Sequence, residues 1–217
     1  MRKHSPLAAI YRQWGAHCTE VQGWWIAEHF GDLEAERESL SNGALIVDWS
    51  HLGKLALRGD PGEAQKWDPA ASTLKPLKAS ISGSQALLRL TEDEFLMLCP
   101  AGSAEEAAGR IDSATSTVTN QSGALGCFVL AGINRDAVLE RSSAMNLRRD
   151  LIGAGSAIQT SFHLVNTTLL RTSHLEILIH PREFSHSLFE ALMDVGKGVG
   201  LRPSGLSALP VTFEEQA

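Results

Sequence analysis

The hydrophobic pattern of this chain changes period over short stretches, and glycine, proline or asparagine interrupts each run. That excludes coiled-coil heptads and favours small helices packed on short strands. Ser5 followed by Pro6, with Leu7, Ile10, Tyr11 and Trp14 at i, i+3, i+4 and i+7, predicts an amphipathic helix over 5–15 that Gly15 stops. A second helix is expected over 31–40, acidic in its first turn and closed by Asn42 and Gly43. Apolar runs at 44–48 and 54–58 flank His51-Leu52-Gly53 and predict a β-hairpin. Further strands are expected at 86–90, 94–99, 118–119, 124–130, 157–161, 162–170 and 175–180, the pair 157–170 being open to reading as one continuous strand. Helices are expected at 104–111, from Asn134, and over 183–195. Pro61, Pro69 and Pro76 leave 59–85 without a long regular element. Alternation in short groups with tight hairpins predicts an α+β fold with mostly antiparallel sheet.

At 217 residues and 43% apolar content the chain can bury one large core or two small ones, so a single unit over 1–217 is expected, with a possible sub-domain split near 112–120. A net charge of −6 offers no field for a polyphosphate backbone, which argues against nucleic acid. The longest uncharged apolar run, 123–133, is far short of the roughly 18–20 residues a membrane helix needs. Arg12 and Gln13 break the first apolar stretch before it could serve as a signal-peptide core, so a cytoplasmic location is expected. Cys18, Cys99 and Cys127 are odd in number and widely spaced, which argues against a disulfide framework or a zinc knuckle.

Chemical motifs are sparse. His174, His180 and His186 are evenly spaced, but two of them on one strand would lie about 20 Å apart, too far to share an ion. Gly153-Ala154-Gly155-Ser156 lacks the last glycine of a nucleophile elbow, and Gly196-Lys197-Gly198-Val199-Gly200 follows a helix and lacks the hydroxyl of a phosphate loop. Trp24 and Trp25 could stack a flat ligand or serve as core and interface residues. In 175–179 the odd positions face the core, which sends Glu176 to the opposite face. There it could accept two N–H donors from a flat heterocycle or face water, and periodicity alone points to water.

The whole pattern is more specific than its parts. Ser5-Pro6-Leu7, Tyr11, Gly15-Ala16, Glu20, Gly23-Trp24, Phe30-Gly31-Asp32, Glu36, the run from Asp48 to Leu55, and Gly59 resemble, in order, the opening of the glycine-cleavage T-protein (aminomethyltransferase) superfamily. Gly200-Leu201-Arg202-Pro203-Ser204-Gly205-Leu206-Ser207-Ala208 is similar to its G-L-x-P-x-G-L-x-A segment. Leu90 to Leu96, Leu147 to Leu151, Gln159-Thr160 and Leu169-Leu170-Arg171 resemble the short gamma subunit of heterotetrameric sarcosine oxidase, a member of the same superfamily.

The resemblance implies a tetrahydrofolate-binding type of fold built from ferredoxin-like α+β units, used to pass one-carbon units onto folate. It implies a strand aspartate near the folate nitrogen, a glutamate on a later strand holding the pterin, and an arginine just after the G-L-x-A segment. Glu176 matches the pterin glutamate. Leu209 stands at the arginine position, the aspartate-bearing hairpin is replaced by a compressed stretch from Trp67 to Ser84, and the family's Tyr-x-Gly-Glu is reduced to Arg171-Thr172-Ser173-His174. The chain ends before the C-terminal barrel domain the resemblance would lead one to expect. The expectation is an accessory, non-catalytic T-protein-like subunit docked on a larger one-carbon enzyme subunit, with tetrahydrofolate as its possible ligand through Glu176. A stand-alone tetrahydrofolate-dependent aminomethyl- or methyltransferase is the alternative. A third is a protein kept for contacts alone, anchored by Trp14, Trp24, Trp25 and Trp67 if these are exposed.

Overall fold

The computed structural model describes residues 2–213. The chain opens on β1 (Lys3–His4) and α1 (Ala8–Gln13). The Ser5 hydroxyl accepts from the Leu7 amide at 2.9 Å. This fixes the turn that buries Leu7, Ile10 and Tyr11. β2 (His17–Val21) and β3 (Trp24–His29) form a hairpin, and β1 joins β3 in parallel, giving a small sheet of order β1-β3-β2. α2 (Leu33–Asn42) is capped by Asp32, whose carboxylate accepts from the Ala35 amide at 3.0 Å.

The remaining strands are β4 (Ala44–Asp48), β5 (Gly53–Gly59), β6 (Lys78–Ser82), β7 (Gln85–Arg89), β8 (Glu94–Cys99), β9 (Ser116–Asn120), β10 (Leu125–Ala131), β11 (Ser156–Phe162), β12 (Val165–Arg171), β13 (Glu176–Pro181) and β14 (Leu201–Ser204). They make one sheet of order β14-β4-β10-β13-β12-β11-β6-β7-β8-β5-β9. It is mostly antiparallel, with β14 parallel to β4. α3 (Ala104–Ala108), α4 (Arg135–Ser142) and α5 (Ser185–Gly196) complete the α+β fold. No helix among the described residues is long and apolar enough to cross a membrane.

Two expectations are corrected. The runs at 44–48 and 54–58 are strands, but they do not pair: β4 lies between β14 and β10, whereas β5 lies between β8 and β9. The reason is burial. Every residue of β4 is buried, so it takes a central position with cover on both faces, which a two-stranded hairpin could not supply. The stretch 157–170 is not continuous and no strand starts at Phe162, because the chain reverses at His163 and Leu164 with φ of 47° and 68°. A turn with two positive φ values normally carries Asn or Gly, so His-Leu gave no signal. The proline-rich stretch holds two short 3₁₀ helices and then β6, which pairs with β7; no acidic residue occurs from Pro69 to Thr91.

The two segments that carry the resemblance are physically tied. Glu36, buried on α2, accepts from the Phe30 amide at 2.5 Å and from the Gly205 amide at 2.9 Å. A side chain at Gly205 would place its Cβ 2.2 Å from the Glu28 carbonyl, so only glycine permits this approach.

Candidate functional site

Glu176 begins β13, and the structure corrects the expectation that it faces water: it is fully buried. The Arg171 Nε donates to both of its carboxylate oxygens at 2.9 Å, and the Arg149 guanidinium adds a contact of 2.6 Å. Arg171, directly opposite on β12, is itself fully buried; its Nη1 donates to the Leu147 and Ile152 carbonyls at 2.7 Å each. Arg149 also reaches Asp136 of α4 at 2.7 Å. Burial is the largest influence on Glu176 and lifts its pKa to about 7, against the pull of the two guanidiniums. This network pins the loop between α4 and β11 to the sheet. Periodicity placed Glu176 on the correct face, but the partners come from a loop that no periodicity reports.

Beside the network lies a cavity of about 290 Å³ lined by Leu40, Ala131, Ile133, Leu175 and Leu209, with Arg135, His174 and Thr212. Two of the positions marked by the resemblance, His174 and Leu209, therefore meet at one place, and Glu176 follows the lining residue Leu175. The volume falls just below the roughly 300–1,000 Å³ usual for ligand sites. Its lining includes no carboxylate. Arg135 donates to the Gly132 and Ser173 carbonyls at 2.8 and 2.9 Å, closing the polar side of the cavity with main-chain bonds.

The motif from Asp48 to Leu55 folds inward. Asp48 accepts from the Ser5 hydroxyl, from the Tyr11 hydroxyl at 2.7 Å and from the Ser50 amide at 2.7 Å. Lys54 is fully buried and donates to the Ser50 and Leu52 carbonyls at 2.8 and 2.9 Å, holding the turn between β4 and β5. Burial lowers its pKa to about 8 and lowers those of His51 and His180 to about 4. Cys127 lies in the same region, its thiol pushed up to about 12 by burial. Asp48 and Lys54 are satisfied by these contacts and the whole cluster is shut away from solvent, so the motif supports the fold and presents no reactive atom to solvent.

A larger cleft of about 810 Å³ lies elsewhere, between the β5, β8 and β9 wall and the β11-β12 hairpin. Thr117, Thr119, Gln121, Gln159, Ser161 and Asn166 supply neutral hydrogen-bonding groups to its lining. Arg58 and Glu94 in the lining pair with each other at 3.4 Å. His180 borders the cleft, but both ring nitrogens are engaged, one with the Leu178 carbonyl at 3.2 Å and one with Ser185 at 2.9 Å. Sequence reasoning missed this cleft, because its polar lining consists of individually unremarkable Thr, Gln and Ser positions on β9, β11 and β12 and in the turn after β9. Among the described residues no His, Cys, Asp and Glu group is arranged to hold a metal ion. Trp24 and Trp67 are buried, while Arg2 stacks over the half-buried Trp25 at 4.6 Å.

The architecture is a T-protein type of fold. No protein-family profile matches the chain. The aminomethyltransferase of Halothermothrix orenii is 23% identical over 228 residues, covering 95% of this chain and 63% of that protein. The solved aminomethyltransferase T of the Bartonella henselae glycine cleavage system superposes with a TM-score of 0.80 at 19% identity, covering 96% of this chain and 61% of that one. A chain of the heterotetrameric sarcosine oxidase of Corynebacterium sp. U-96 superposes with a TM-score of 0.65 at 21% identity, covering 90% of this chain and 95% of that one. The protein is thus T-protein-like in sequence and fold, in a short form similar to the sarcosine oxidase chain, and it spans about 62% of the length of its curated aminomethyltransferase relatives.

Proposed function

We propose that this chain is an accessory, non-catalytic T-protein-like subunit of a cytoplasmic, tetrahydrofolate-linked one-carbon enzyme complex. One observation carries the reading: Leu209, matched to the family's arginine, lines a small, largely apolar cavity, and Glu176, matched to its pterin glutamate, is buried and held by two arginines. Transfer to folate needs a free proton acceptor or charge partner at the reacting nitrogen. Glu176 is engaged, and the β6-β7 hairpin carries no acid. We assign Glu176 to holding the 143–155 loop through Arg149 and Arg171.

Isothermal titration of the purified chain with tetrahydrofolate tests this. No heat at millimolar ligand is expected. Binding that is abolished in Glu176→Gln, with the variant's melting temperature retained, would overturn the assignment and support the stand-alone transferase.

A further inference from the structure

β9 ends the large sheet, and no strand pairs with its outer edge among the described residues. The Gln121 amide donates to the Lys54 carbonyl at 2.8 Å, so positions 121, 119 and 117 form the hydrogen-bonded pairs with Lys54, Ala56 and Arg58 of β5. The Gly59 amide donates to the Asp93 carbonyl, which independently turns the odd positions of β5 toward β8 and its even ones toward β9. By alternation, the amides and carbonyls of Val118 and Asn120 point outward.

Proteins blunt exposed edges with charge, proline, bulges or brevity. The other three sheet ends follow this rule. β14 carries Arg202 and Pro203, β1 is two residues long and carries Lys3, and β2 has a register shift at His17/Cys18 and carries Glu20. β9 reads Ser-Thr-Val-Thr-Asn, five uncharged residues with no proline and no register break against β5. Its Thr117 and Thr119 side chains line the 810 Å³ cleft, so an added strand would continue a wall already furnished with neutral hydroxyl and amide groups.

We propose that the outer edge of β9, with the cleft beside it, is a docking site for an extended, uncharged polypeptide strand of a partner subunit, added by β-pairing at Val118 and Asn120. Main-chain bonds would supply affinity, and Thr117, Thr119 and Gln121 would favour small polar or β-branched side chains over charged ones. A net charge of −6 per copy disfavours pairing of two copies through this edge, and the neutral hydroxyl and amide groups beside it suit an uncharged strand. The identity of the strand as a partner subunit's rests on the accessory role proposed above.

The test is amide hydrogen exchange on the full chain with an acetylated, amidated Thr-Val-Thr-Val-Thr peptide. Exchange at Val118 and Asn120 should slow by about tenfold or more, with no slowing at β14 or β2. The effect should vanish in Val118→Pro, which an outward-facing edge position tolerates. It should also vanish with a peptide N-methylated at alternate residues, a control that needs no altered protein. Unchanged exchange at both amides, or equal slowing by the N-methylated peptide, would overturn the proposal. So would concentration-dependent dimerisation abolished by Val118→Pro, which would assign the edge to a second copy. Tetrahydrofolate binding that is abolished in Glu176→Gln, with β9 protection intact, would overturn the accessory role while leaving strand addition standing.

Discussion

Replacing Arg171 by methionine keeps the length of the side chain and removes its charge from a site with no access to water. Glu176 then loses both 2.9 Å contacts from the guanidinium and keeps only Arg149, while the Leu147 and Ile152 carbonyls each lose a 2.7 Å donor. Breaking one side of a buried pair costs about 3–5 kcal/mol, and two deprived carbonyls add about 1 kcal/mol each, so Arg171→Met should cost about 5–7 kcal/mol. That is a large part of the roughly 5–15 kcal/mol typical of a domain. The double variant Arg171→Met with Glu176→Leu removes both charges, and its deficit should shrink to the carbonyl contribution of about 2 kcal/mol, since apolar replacement of a buried pair is near neutral. Urea unfolding followed by tryptophan fluorescence reads both, and the m-value reports whether the denatured state has changed. If the single variant lies within about 1 kcal/mol of the parent, or the double variant is no better than the single, the network does not hold the 143–155 loop as argued.

Three further outcomes follow from other parts of the molecule. His51 and His180 have pKa values lowered from 6.5 to about 4, so the stability they confer is present above pH 6.5 and lost as pH falls toward 4; at about 1.4 kcal/mol per pH unit each contributes about 3 kcal/mol, and His180→Gln should flatten the melting-temperature drop over that range. Lys54 acts with the same sign at alkaline pH: its pKa falls from 10.5 to about 8, so stability rises between pH 8 and 10.5 and should not rise in Lys54→Met. Leu164 is 96% exposed at a φ of 68°, so Leu164→Gly should raise stability by about 1 kcal/mol in thermal unfolding, because it relieves backbone strain without losing packing.

Much of the secondary structure was legible because its causes are local. Asp32 caps α2, apolar periodicity marks α5, and β7 and β8 follow their β-rich runs to within a residue. What could not be read was pairing. β4 and β5 are five residues apart in sequence yet lie at different places in the sheet, because the burial that decides their neighbours is supplied by β10, β14, β8 and β9. The same limit governed the site. The face of Glu176 followed from alternation, but its arginines are 27 and five residues away, and the cleft is assembled from seven strands whose sequences carry no shared signature.

The residues that make the chain resemble the T-protein superfamily divide by what folding requires of them. Glu36 joins the opening segment to Gly205 of the closing one, Asp48 gathers Ser5, Tyr11 and Ser50, and Lys54 closes the turn before β5. Each leaves a buried polar group without a partner if removed, so each serves stability whether or not any ligand binds. Leu209 obeys the opposite logic. It lines the small cavity with Arg135, next to a cluster in which Arg135, Arg149 and Arg171 already outnumber Asp136 and Glu176. A guanidinium there would add like charge to a half-buried site, a cost that only an anionic ligand or an added carboxylate could offset. An apolar side chain at that position is therefore what stability favours in the absence of such a partner.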